Sequence, residues 1–436
     1  HLKSISILYY YVTSGYQITE LMSNLLKGGG FLFIGRAYND IDHMTPIAYR
    51  LKSDQPNIQI EFLIIDLFKD YKEDFRIKYL KSIGVKVTHI LTFFTSSNKL
   101  LKSYFGMIKA LNDLSRYNPI RIFLNKTIVR ITVKYFGSKL NNMSGEAFFT
   151  NYFYEKPQVI IIDYSYLEFY YKIYLYSNKN GIVTVAIPHG HNILMNELIM
   201  NKSMKINYGK SDEHIDDPVL AIKNKKKFKM PYNYIIFENH IIPKRYVDLG
   251  IVDEDKVVVL GSTRFSDEWV KKLRDIIPPI DFKGLDSGKL KIVVMLSKPS
   301  QNGHPGELER SLRFMSLFPN TYLVIKPHTR NKKYSFENSN KVYVDNLNQL
   351  PSPSLIDWAD IVFFEHSCIC FDSLKRDKPT FYFKSTHANR LMSEKYFNSW
   401  EVHCRDDIRD IMWEALNGKG NHGYSHNDIK PFIRET

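Results

Sequence analysis

The chain has 436 residues, of which 44% are hydrophobic, an ordinary share for a globular protein. That length exceeds what one core usually organises and predicts two domains. No run approaches the roughly 18 apolar residues of a membrane-spanning helix, and no signal-peptide pattern opens the chain, so we expect a soluble, cytoplasmic protein. The three cysteines, an odd and sparse set, argue against a disulfide framework and a cysteine-based zinc site.

A formal net charge of +14 suits an anionic partner such as nucleic acid, an anionic lipid surface or a phosphorylated substrate. A composition rich in Lys, Ile, Asn and Tyr explains the same charge without any partner. The lysine run at residues 223–229 is typical of a solvated loop. In residues 120–140, Lys126, Arg130 and Lys134 recur at four-residue spacing, which would give a helix a basic face suited to a membrane surface. The β-branched residues there also allow a strand.

Strand-like runs alternate with helical patterns along the first part of the chain. Residues 35–43 are typical of a loop, and a helix is predicted to begin at Pro46. Strands are predicted at residues 31–34, 58–65, 85–94, 159–162, 182–187, 234–237 and 257–260. This rhythm is that of an open parallel sheet with helices on its faces.

The periodicity breaks between residues 274 and 289, where two prolines and two glycines interrupt it. A second α/β unit follows, with a helix predicted over residues 307–318 and strands at residues 291–296, 321–326, 341–344, 361–364 and 380–383. We therefore predict an α/β protein with two Rossmann-like domains, residues 1–275 and 290–436, that face a central cleft across a linker at residues 276–289. The last helical segment is expected to pack back on the first domain.

Two hydrophobic runs of the second domain end in polar clusters. One leads into Lys326-Pro327-His328-Thr329-Arg330, and the other leads into Glu365-His366-Ser367-Cys368, after which Phe371-Asp372 opens a helix. Ligands of parallel α/β sheets bind where the strands end. The two clusters therefore predict a pocket for an anionic ligand, and a nucleotide monophosphate or diphosphate fits it.

The first domain has polar residues at its predicted strand ends as well. Asp163 ends one strand, Pro188-His189-Gly190-His191 follows the next, and Gly261-Ser262-Thr263-Arg264 follows the last. Near the start, Asp40-Ile41-Asp42-His43 has the spacing of a metal-binding Asp-any-Asp element. Its place in the first loop of the first sheet favours a capping or acceptor-contact role over a metal site.

The order of these motifs resembles the GT-B glycosyltransferases that make bacterial surface polymers. The pattern is similar to that of CDP-glycerol glycerophosphotransferase-like enzymes of teichoic acid and capsule synthesis, and to that of transferases that use CMP-activated sialic acid or Kdo. The resemblance spans residues 159–383. It is carried by Pro188-His189-Gly190, Gly261-Ser262-Thr263-Arg264 through Asp267, Lys326-Pro327-His328, Asp360 through Ser367 with Phe371-Asp372, and Lys378-Pro379.

Three departures from the family pattern bear on the donor more than on the fold. His191 stands where the family has Thr, and Thr329 stands where it has a second Pro. Glu365-His366-Ser367-Cys368 replaces Asp-Tyr-Ser-Ser. The resemblance implies no cofactor beyond a nucleotide-activated donor, with a CMP-sugar or a CDP-linked unit ahead of a UDP-sugar.

Departure of a nucleotide phosphate builds negative charge, which a metal-independent enzyme must meet with fixed positive groups. Lys326, His328 and Arg330 can do this, helped by the backbone amides after Ser367. Glu365 could accept hydrogen bonds from the ribose. Further donor contacts are expected from Ser262, Arg264, Ser297, Lys298, His366 and Asp372, although Lys298 and Arg330 could equally be ordinary surface charges.

The acceptor hydroxyl needs a base if the displacement is direct. His189 and His191 are the candidates, the alternative being that one of them merely bonds backbone around Gly190. Asp163 could orient a histidine, act as the nucleophile of a double displacement, or simply cap the next helix. Asp42 and His43 are secondary candidates for handling the acceptor.

We therefore expect a cytoplasmic transferase that extends a surface glycan of the capsule, lipopolysaccharide O-antigen or teichoic acid type. Its acceptor would be a saccharide or lipid-linked glycan, with peripheral contact to an anionic membrane at the inner face of the cell membrane. A sugar-nucleotide epimerase of the same two-domain plan is one alternative. A non-catalytic nucleotide or nucleic-acid binding protein is the other, but basic and aromatic residues are not interleaved as nucleic-acid binding requires, so we expect no nucleic-acid partner.

Overall fold

The computed structural model describes residues 30–66, 71–90, 103, 145–152, 156–163, 168–187, 229–248, 250–278, 289–297, 303–328, 334–347, 349–387, 391–395, 398–420 and 422–429. The basic segment at residues 120–140 and most of the lysine run at 223–229 lie outside these residues. Every helix among the described residues is too short or too polar to span a bilayer.

The first sheet contains seven parallel strands in the order β3-β2-β1-β4-β5-β6-β7. Its all-parallel arrangement agrees with the sequence prediction. Ile, Val and Phe dominate its strands because a parallel sheet is buried on both faces. The strands are β1 (Phe31–Gly35), β2 (Ile60–Ile64), β3 (Lys86–His89), β4 (Val159–Asp163), β5 (Val183–Ile187), β6 (Tyr234–Phe237) and β7 (Val257–Val259).

Helices cover both faces of this sheet. On β1, Leu32 and Ile34 point into one apolar cluster, whereas Phe31 and Phe33 point into the other. This two-residue alternation is what a strand with two covered faces requires. The described helices of this domain are α1 (Tyr38–Asp54), α2 (Phe75–Ser82), α3 (Gly145–Tyr152), α4 (Glu168–Lys179), α5 (Ile241–Asp248) and α6 (Asp267–Ile276).

The second sheet contains six parallel strands in the order β10-β9-β8-β11-β12-β13. They are β8 (Leu290–Met295), β9 (Thr321–Lys326), β10 (Val342–Val344), β11 (Ile361–Phe364), β12 (Thr380–Phe383) and β13 (Glu401–Val402). The helices are α7 (Pro305–Ser316), α8 (Ser352–Trp358), α9 (Cys370–Lys375), α10 (Arg405–Leu416) and α11 (His426–Ile429). Two such sheets confirm the predicted fold class.

The loop expected over residues 35–43 is wrong in its second half, because α1 begins at Tyr38. The buried Asp40 carboxylate accepts the backbone N–H groups of Arg36 at 2.7 Å and Ala37 at 3.1 Å, which satisfies donors that a helix start leaves open. Pro46, expected at the start of the helix, lies inside it. Asp42 and His43 are therefore fixed on a helix.

The two sheets are joined by a common apolar cluster and by ion pairs. The ring of Phe265, just after β7, lies 6.0 Å from the ring of Phe371 in α9. Lys375 of α9 bonds Asp267 of α6 at 2.7 Å. These contacts hold together the parts of the chain that follow the last strand of one sheet and a central strand of the other.

The described part of the C-terminal segment packs on the second sheet. The backbone N–H of Thr380 donates to the carbonyl of His422 at 3.1 Å, and the Tyr424 hydroxyl donates to the carbonyl of Lys378 at 3.1 Å. Gly423 between them has a positive φ of 75°, and a Cβ there would stand 2.8 Å from the Thr380 carbonyl. Residues 430–436 lie outside the described residues.

Candidate functional site

Polar residues follow the strands of both sheets and meet at the junction between the domains. The thiol of Cys368, after β11, is a marker of this meeting point. Burial raises its pKa; Arg264 lowers it, whereas the carboxylates of Asp372, Asp42 and Glu238 raise it further. Residues of both domains therefore lie around one sulfur atom, and we call the junction of the two sheets at these residues the cleft.

Glu365 organises the loops on the second-domain side of this cleft. Its buried carboxylate accepts hydrogen bonds from the Ser297 backbone N–H at 2.8 Å, the Ser297 hydroxyl at 3.1 Å and the Thr386 hydroxyl at 3.1 Å. Burial raises the pKa of Glu365, and these hydrogen bonds oppose that shift. The bonds tie together the chain after β8, β11 and β12. A contact between Glu365 and the ribose of a nucleotide stays a prediction. Glu365 would have to make that contact in addition to these three hydrogen bonds.

Three histidines cluster where β9, β11 and β12 end. The His366 ring lies 4.4 Å from the His387 ring, centroid to centroid. Burial, helped by the charge of nearby His328, lowers the pKa of His366 to about 4. His366 is therefore neutral near pH 7, whereas His328 is only half-buried. The clusters that follow β9 and β11 converge as expected, but the two strands are not neighbours, because β8 lies between them.

Lys326, the last residue of β9, faces a carboxylate of its own domain. Its ammonium group lies 2.5 Å from Asp345, and both side chains are buried. Asp345 also accepts the backbone N–H groups of Gln349 at 2.9 Å and Leu350 at 3.1 Å. Burial lowers the pKa of Lys326, and Asp345 opposes that change. This pairing offsets the charge that was expected to face a phosphate, and it connects the end of β9 to the turn that follows β10.

Arg264 and Asp372, both expected to contact the donor, pair with each other across the domain junction. Arg264 also lies 3.5 Å from Asp42, which in turn pairs with Arg76 of α2. We call Arg76, Asp42, Arg264 and Asp372 the junction network. Burial opposes the charge of Arg264, but Asp372 and Asp42 raise its pKa, so the guanidinium stays ionised.

His43 and the Thr263 hydroxyl connect α1 to this junction. The His43 side chain is buried, and its backbone carbonyl accepts a hydrogen bond from Thr263 at 3.0 Å. The neighbouring Ser262 hydroxyl is buried and has no hydrogen-bond partner in the described part of the chain. Ser367, on the opposite side, accepts the Ile369 backbone N–H at 3.4 Å. Ser262 is therefore a polar group suited to receiving a ligand.

Asp163, at the end of β4, is fully buried and accepts a hydrogen bond from the Arg36 Nε at 2.9 Å. Arg36 follows the neighbouring strand β1, and its side chain is 32% exposed. The pair places a partly exposed guanidinium at the cleft edge of the first sheet. Arg36 was not predicted, although it directly follows the apolar run at residues 31–34 and could have been found by the same rule as the other polar residues at strand ends.

Glu238 is a second residue that the sequence analysis missed. It follows β6 directly and is only 2% exposed. Burial raises its pKa to about 8. The sequence could have indicated Glu238, because the polar residues Glu238-Asn239-His240 follow a predicted apolar strand in the same way as the other polar clusters do.

Four predicted site residues, His189, His191, Lys298 and Arg330, lie outside the described residues. Among the residues that are described, no group of three His, Cys, Asp or Glu side chains could hold a metal ion. Asp40 and Asp42 are engaged in capping and in the junction network instead.

Two solved structures illustrate the likeness of this chain to known proteins. A variant of the wall teichoic acid polymerase TagF, soaked with CDPG, has a TM-score of 0.50 at 13% identity, over 99% of this chain and 90% of that chain. A protein from Listeria monocytogenes described as a UDP-N-acetylglucosamine 2-epimerase has a TM-score of 0.52 at 11% identity, over 93% of this chain and 92% of that one. No protein-family model matches the sequence, and no curated protein matches it.

At such low sequence identity, the similarity to these structures establishes only the fold. The chain has the GT-B fold, with two parallel α/β domains. This confirms, at the level of the fold, the resemblance that the sequence motifs indicated.

Proposed function

We propose that the protein is a GT-B transferase that moves a sugar or glycerol-phosphate unit from a nucleotide-activated donor to a bacterial surface glycan. The observation that carries the proposal is the approach of His328 to His366 beyond the ends of β9 and β11 in the second sheet, opposite the carboxyls of the first. The second-domain side of the cleft can then stabilise a leaving phosphate, while the first-domain side binds the attacking hydroxyl.

The donor is assigned to the second domain. A departing phosphate needs fixed positive charge and hydrogen-bond donors that cost no reorganisation during the reaction. His328, half-buried just after β9, is a group of this kind that solvent can reach. Ser262 and Ser367 supply hydroxyls, and Lys298 and Arg330 supply charge. A metal is not needed for this scheme.

A cytidine-linked donor is preferred over a UDP-sugar. The motif order resembles enzymes that use CDP-glycerol or CMP-activated acid sugars, and the TagF variant cited above was soaked with CDPG. The departures at His366 and Cys368 from the family's Asp-Tyr-Ser-Ser pattern leave the unit transferred open among these donors.

The acceptor is assigned to the first domain. His189 or His191 would remove the proton of the attacking hydroxyl, and Asp163 with Arg36 would help to position it. Closure of the cleft would exclude water and bring the two reacting centres together. A lipid-linked acceptor at the inner face of the membrane suits the basic segment at residues 120–140.

A sugar-nucleotide epimerase is the second candidate, because the Listeria protein shares the fold at a TM-score of 0.52. An epimerase would release free UDP and an epimerised sugar from a UDP-sugar without any acceptor. A transferase would release the nucleotide in step with growth of the acceptor. Product analysis of one reaction mixture, with and without a glycan acceptor, separates the two.

A nucleotide that binds only the folded protein must raise its melting temperature. We expect CMP or CDP to raise it by a few degrees, UDP and GDP by less, and His328→Ala to abolish the rise. His403, whose side chain is largely exposed, supplies the matched control, so His403→Ala should retain the full shift. If none of the four nucleotides stabilises the protein, the proposal fails.

A further inference from the structure

Arg36 is held in place at both its main chain and its side chain. It directly follows β1, which pairs with β4, so Asp163 at the end of β4 lies beside it. The Arg36 Nε donates to the Asp163 carboxylate at 2.9 Å. The Arg36 backbone N–H donates to Asp40 at 2.7 Å. The guanidinium is therefore fixed before any ligand arrives, which lowers the entropy cost of binding one.

Most of the Arg36 guanidinium is left open by these contacts. An arginine presents its N–H donors in a planar fork. Within the described part of the chain, Nε is the only side-chain nitrogen of Arg36 that makes a hydrogen bond. The Arg36 side chain is 32% exposed, whereas that of Asp163 is fully buried. Solvent therefore reaches the outer nitrogens, which match two oxygens of a phosphate or a carboxylate.

The charges around Arg36 are already matched within the protein. Asp40 accepts the N–H groups of Arg36 and Ala37 at the start of α1, where a helix is partly positive. Burial raises the pKa of nearby Tyr170 well above its ordinary value, so that hydroxyl is uncharged. Burial opposes the charge of Arg36, but Asp163, Tyr170 and Asp40 raise its pKa. The guanidinium therefore stays ionised beside a paired carboxylate.

Arg36 lies close to the junction of the two domains. It precedes α1, and Asp42, one turn after the first residue of that helix, belongs to the junction network. Through Arg264 this network reaches Asp372 of the second domain. An anion bound to Arg36 would thus lie on the acceptor side of the cleft, near the place where the donor is proposed to react.

We propose that Arg36, positioned by Asp163, binds an oxyanion of the acceptor and so selects an acceptor that carries a phosphate or a carboxylate near its attacking hydroxyl. This inference rests on the proposed function and deepens it, because it names the class of acceptor. It also makes Asp163 a positioning residue instead of a nucleophile, since its buried carboxylate is engaged by Arg36.

The test is isothermal titration of the wild type and Arg36→Gln, each saturated with the most stabilising nucleotide so that the donor site is filled. The probes are glycerol phosphate and glucuronate, with neutral glycerol and glucose as their matched partners. We expect one or both anions to bind the wild type and the neutral partners to bind far more weakly. Arg36→Gln should weaken anion binding by about tenfold or more, because hydrogen bonds to a charged group are lost. The preferred anion tells a phosphate acceptor from a carboxylate one.

The control is Arg50→Gln, because Arg50 is also a partly exposed arginine of the first domain that pairs with carboxylates, Asp54 and Glu268. It should bind the anions as the wild type does. Wild-type affinity in Arg36→Gln overturns the inference, as does equal binding of an anion and its neutral partner, or binding of neither anion. A loss of nucleotide stabilisation in Arg36→Gln would mark a structural role and also overturns it.

Arg36→Gln leaves Asp163 buried without its partner and could fail to fold. Arg36→Lys then decides, because it keeps the charge but loses the planar fork. Anion binding weaker by about threefold or more in Arg36→Lys supports the inference, and unchanged binding overturns it.

Failure of the inference and failure of the proposed function give different results. Stabilisation by a nucleotide together with anion binding that does not depend on Arg36 removes only the role of Arg36. Absence of any nucleotide stabilisation in the wild type removes the transferase proposal. The titrations are then run without nucleotide, and they support or overturn the oxyanion site by the same criteria.

Discussion

Burial sets the protonation behaviour of single residues at this cleft. His366 and Glu238 are both buried at strand ends, and in both the charged form is disfavoured. Lys326 and Arg264 are buried as well, but each has a carboxylate partner. The cleft thus combines neutral groups that can exchange protons with ion pairs that hold loops in place.

His328→Ala should slow turnover by about 100-fold, because one fixed donor at a leaving phosphate contributes that much in comparable sites. The measurement is kcat for nucleotide release at saturating donor, with His403→Ala as the control. Turnover at the wild-type level would remove His328 from leaving-group stabilisation.

The lowered pKa of His366 implies that the stability of the protein depends on pH. Its pKa is about 4 in the folded protein, below the ordinary value of 6.5. Between those two values the unfolded chain binds a proton that the folded chain does not, so the free energy of unfolding should fall as the pH drops from about 6.5 to about 4. Denaturant titrations should show a loss of about 1–3 kcal/mol over this range, reduced in His366→Gln. An identical profile in the variant would contradict the account.

The raised pKa of Glu238 implies a pH dependence of stability with the opposite sign. Its folded pKa of about 8 exceeds the ordinary 4.5, so the folded protein retains a proton that the unfolded chain loses. Stability should therefore decline as the pH rises from about 4.5 to about 8. In Glu238→Gln the decline should be smaller, as measured by denaturant titration. An equal decline in both proteins would show that the carboxyl is not held protonated.

At the scale of elements, the sequence predicted the parallel strands well. Each strand is buried on both faces and is therefore a nearly continuous apolar run. Such a run is easy to recognise in the sequence. The two-residue strand β13 was not predicted, because Glu401–Val402 is too short to show any periodicity. The start of α1 was missed because Pro46 is typical of a first helical turn, whereas here buried packing tolerates it within the helix.

The candidate site was predictable where polar residues directly follow apolar runs. That rule located Ser297, His328 and Glu365, whose loops the structure brings together. It could not predict partners that come from distant sequence. Lys326 pairs with Asp345, and Arg264 pairs with Asp42. These pairings depend on how loops and domains pack, which a local sequence pattern does not show.

Asp40→Ala should destabilise the protein by about 1–2 kcal/mol through loss of the N-terminal cap of α1. The exposed Asp248 offers a matched control, so Asp248→Ala should change the free energy of unfolding by less than about 0.5 kcal/mol. Denaturant titration gives both values. Equal effects of the two substitutions would contradict the capping role.

At the scale of the whole molecule, the domains are held by ion pairs of very different burial. Arg264–Asp372 is nearly inaccessible to solvent, whereas Arg274–Asp357 lies at the surface at 3.0 Å. Solvent screens an exposed pair, but a buried charge that loses its partner is left uncompensated. The two pairs should therefore contribute unequally to the docking of the domains.

Asp372→Asn should lower the free energy of unfolding by about 3–5 kcal/mol, and Arg274→Ala by less than about 1 kcal/mol. The double variant Arg264→Met with Asp372→Asn should be less destabilised than the sum of the single effects, because neither charge is left buried alone. Strict additivity in this double-mutant cycle would show that the two side chains do not interact.

The most direct test of the central claim is hydrogen–deuterium exchange with and without the most stabilising nucleotide. The account predicts slower exchange at the strand ends of the second sheet, in the segments that contain Ser297, His328 and Glu365–Ser367, with little change in α10. Protection confined to other segments, or no protection at all, would contradict a nucleotide site at this edge of the sheet.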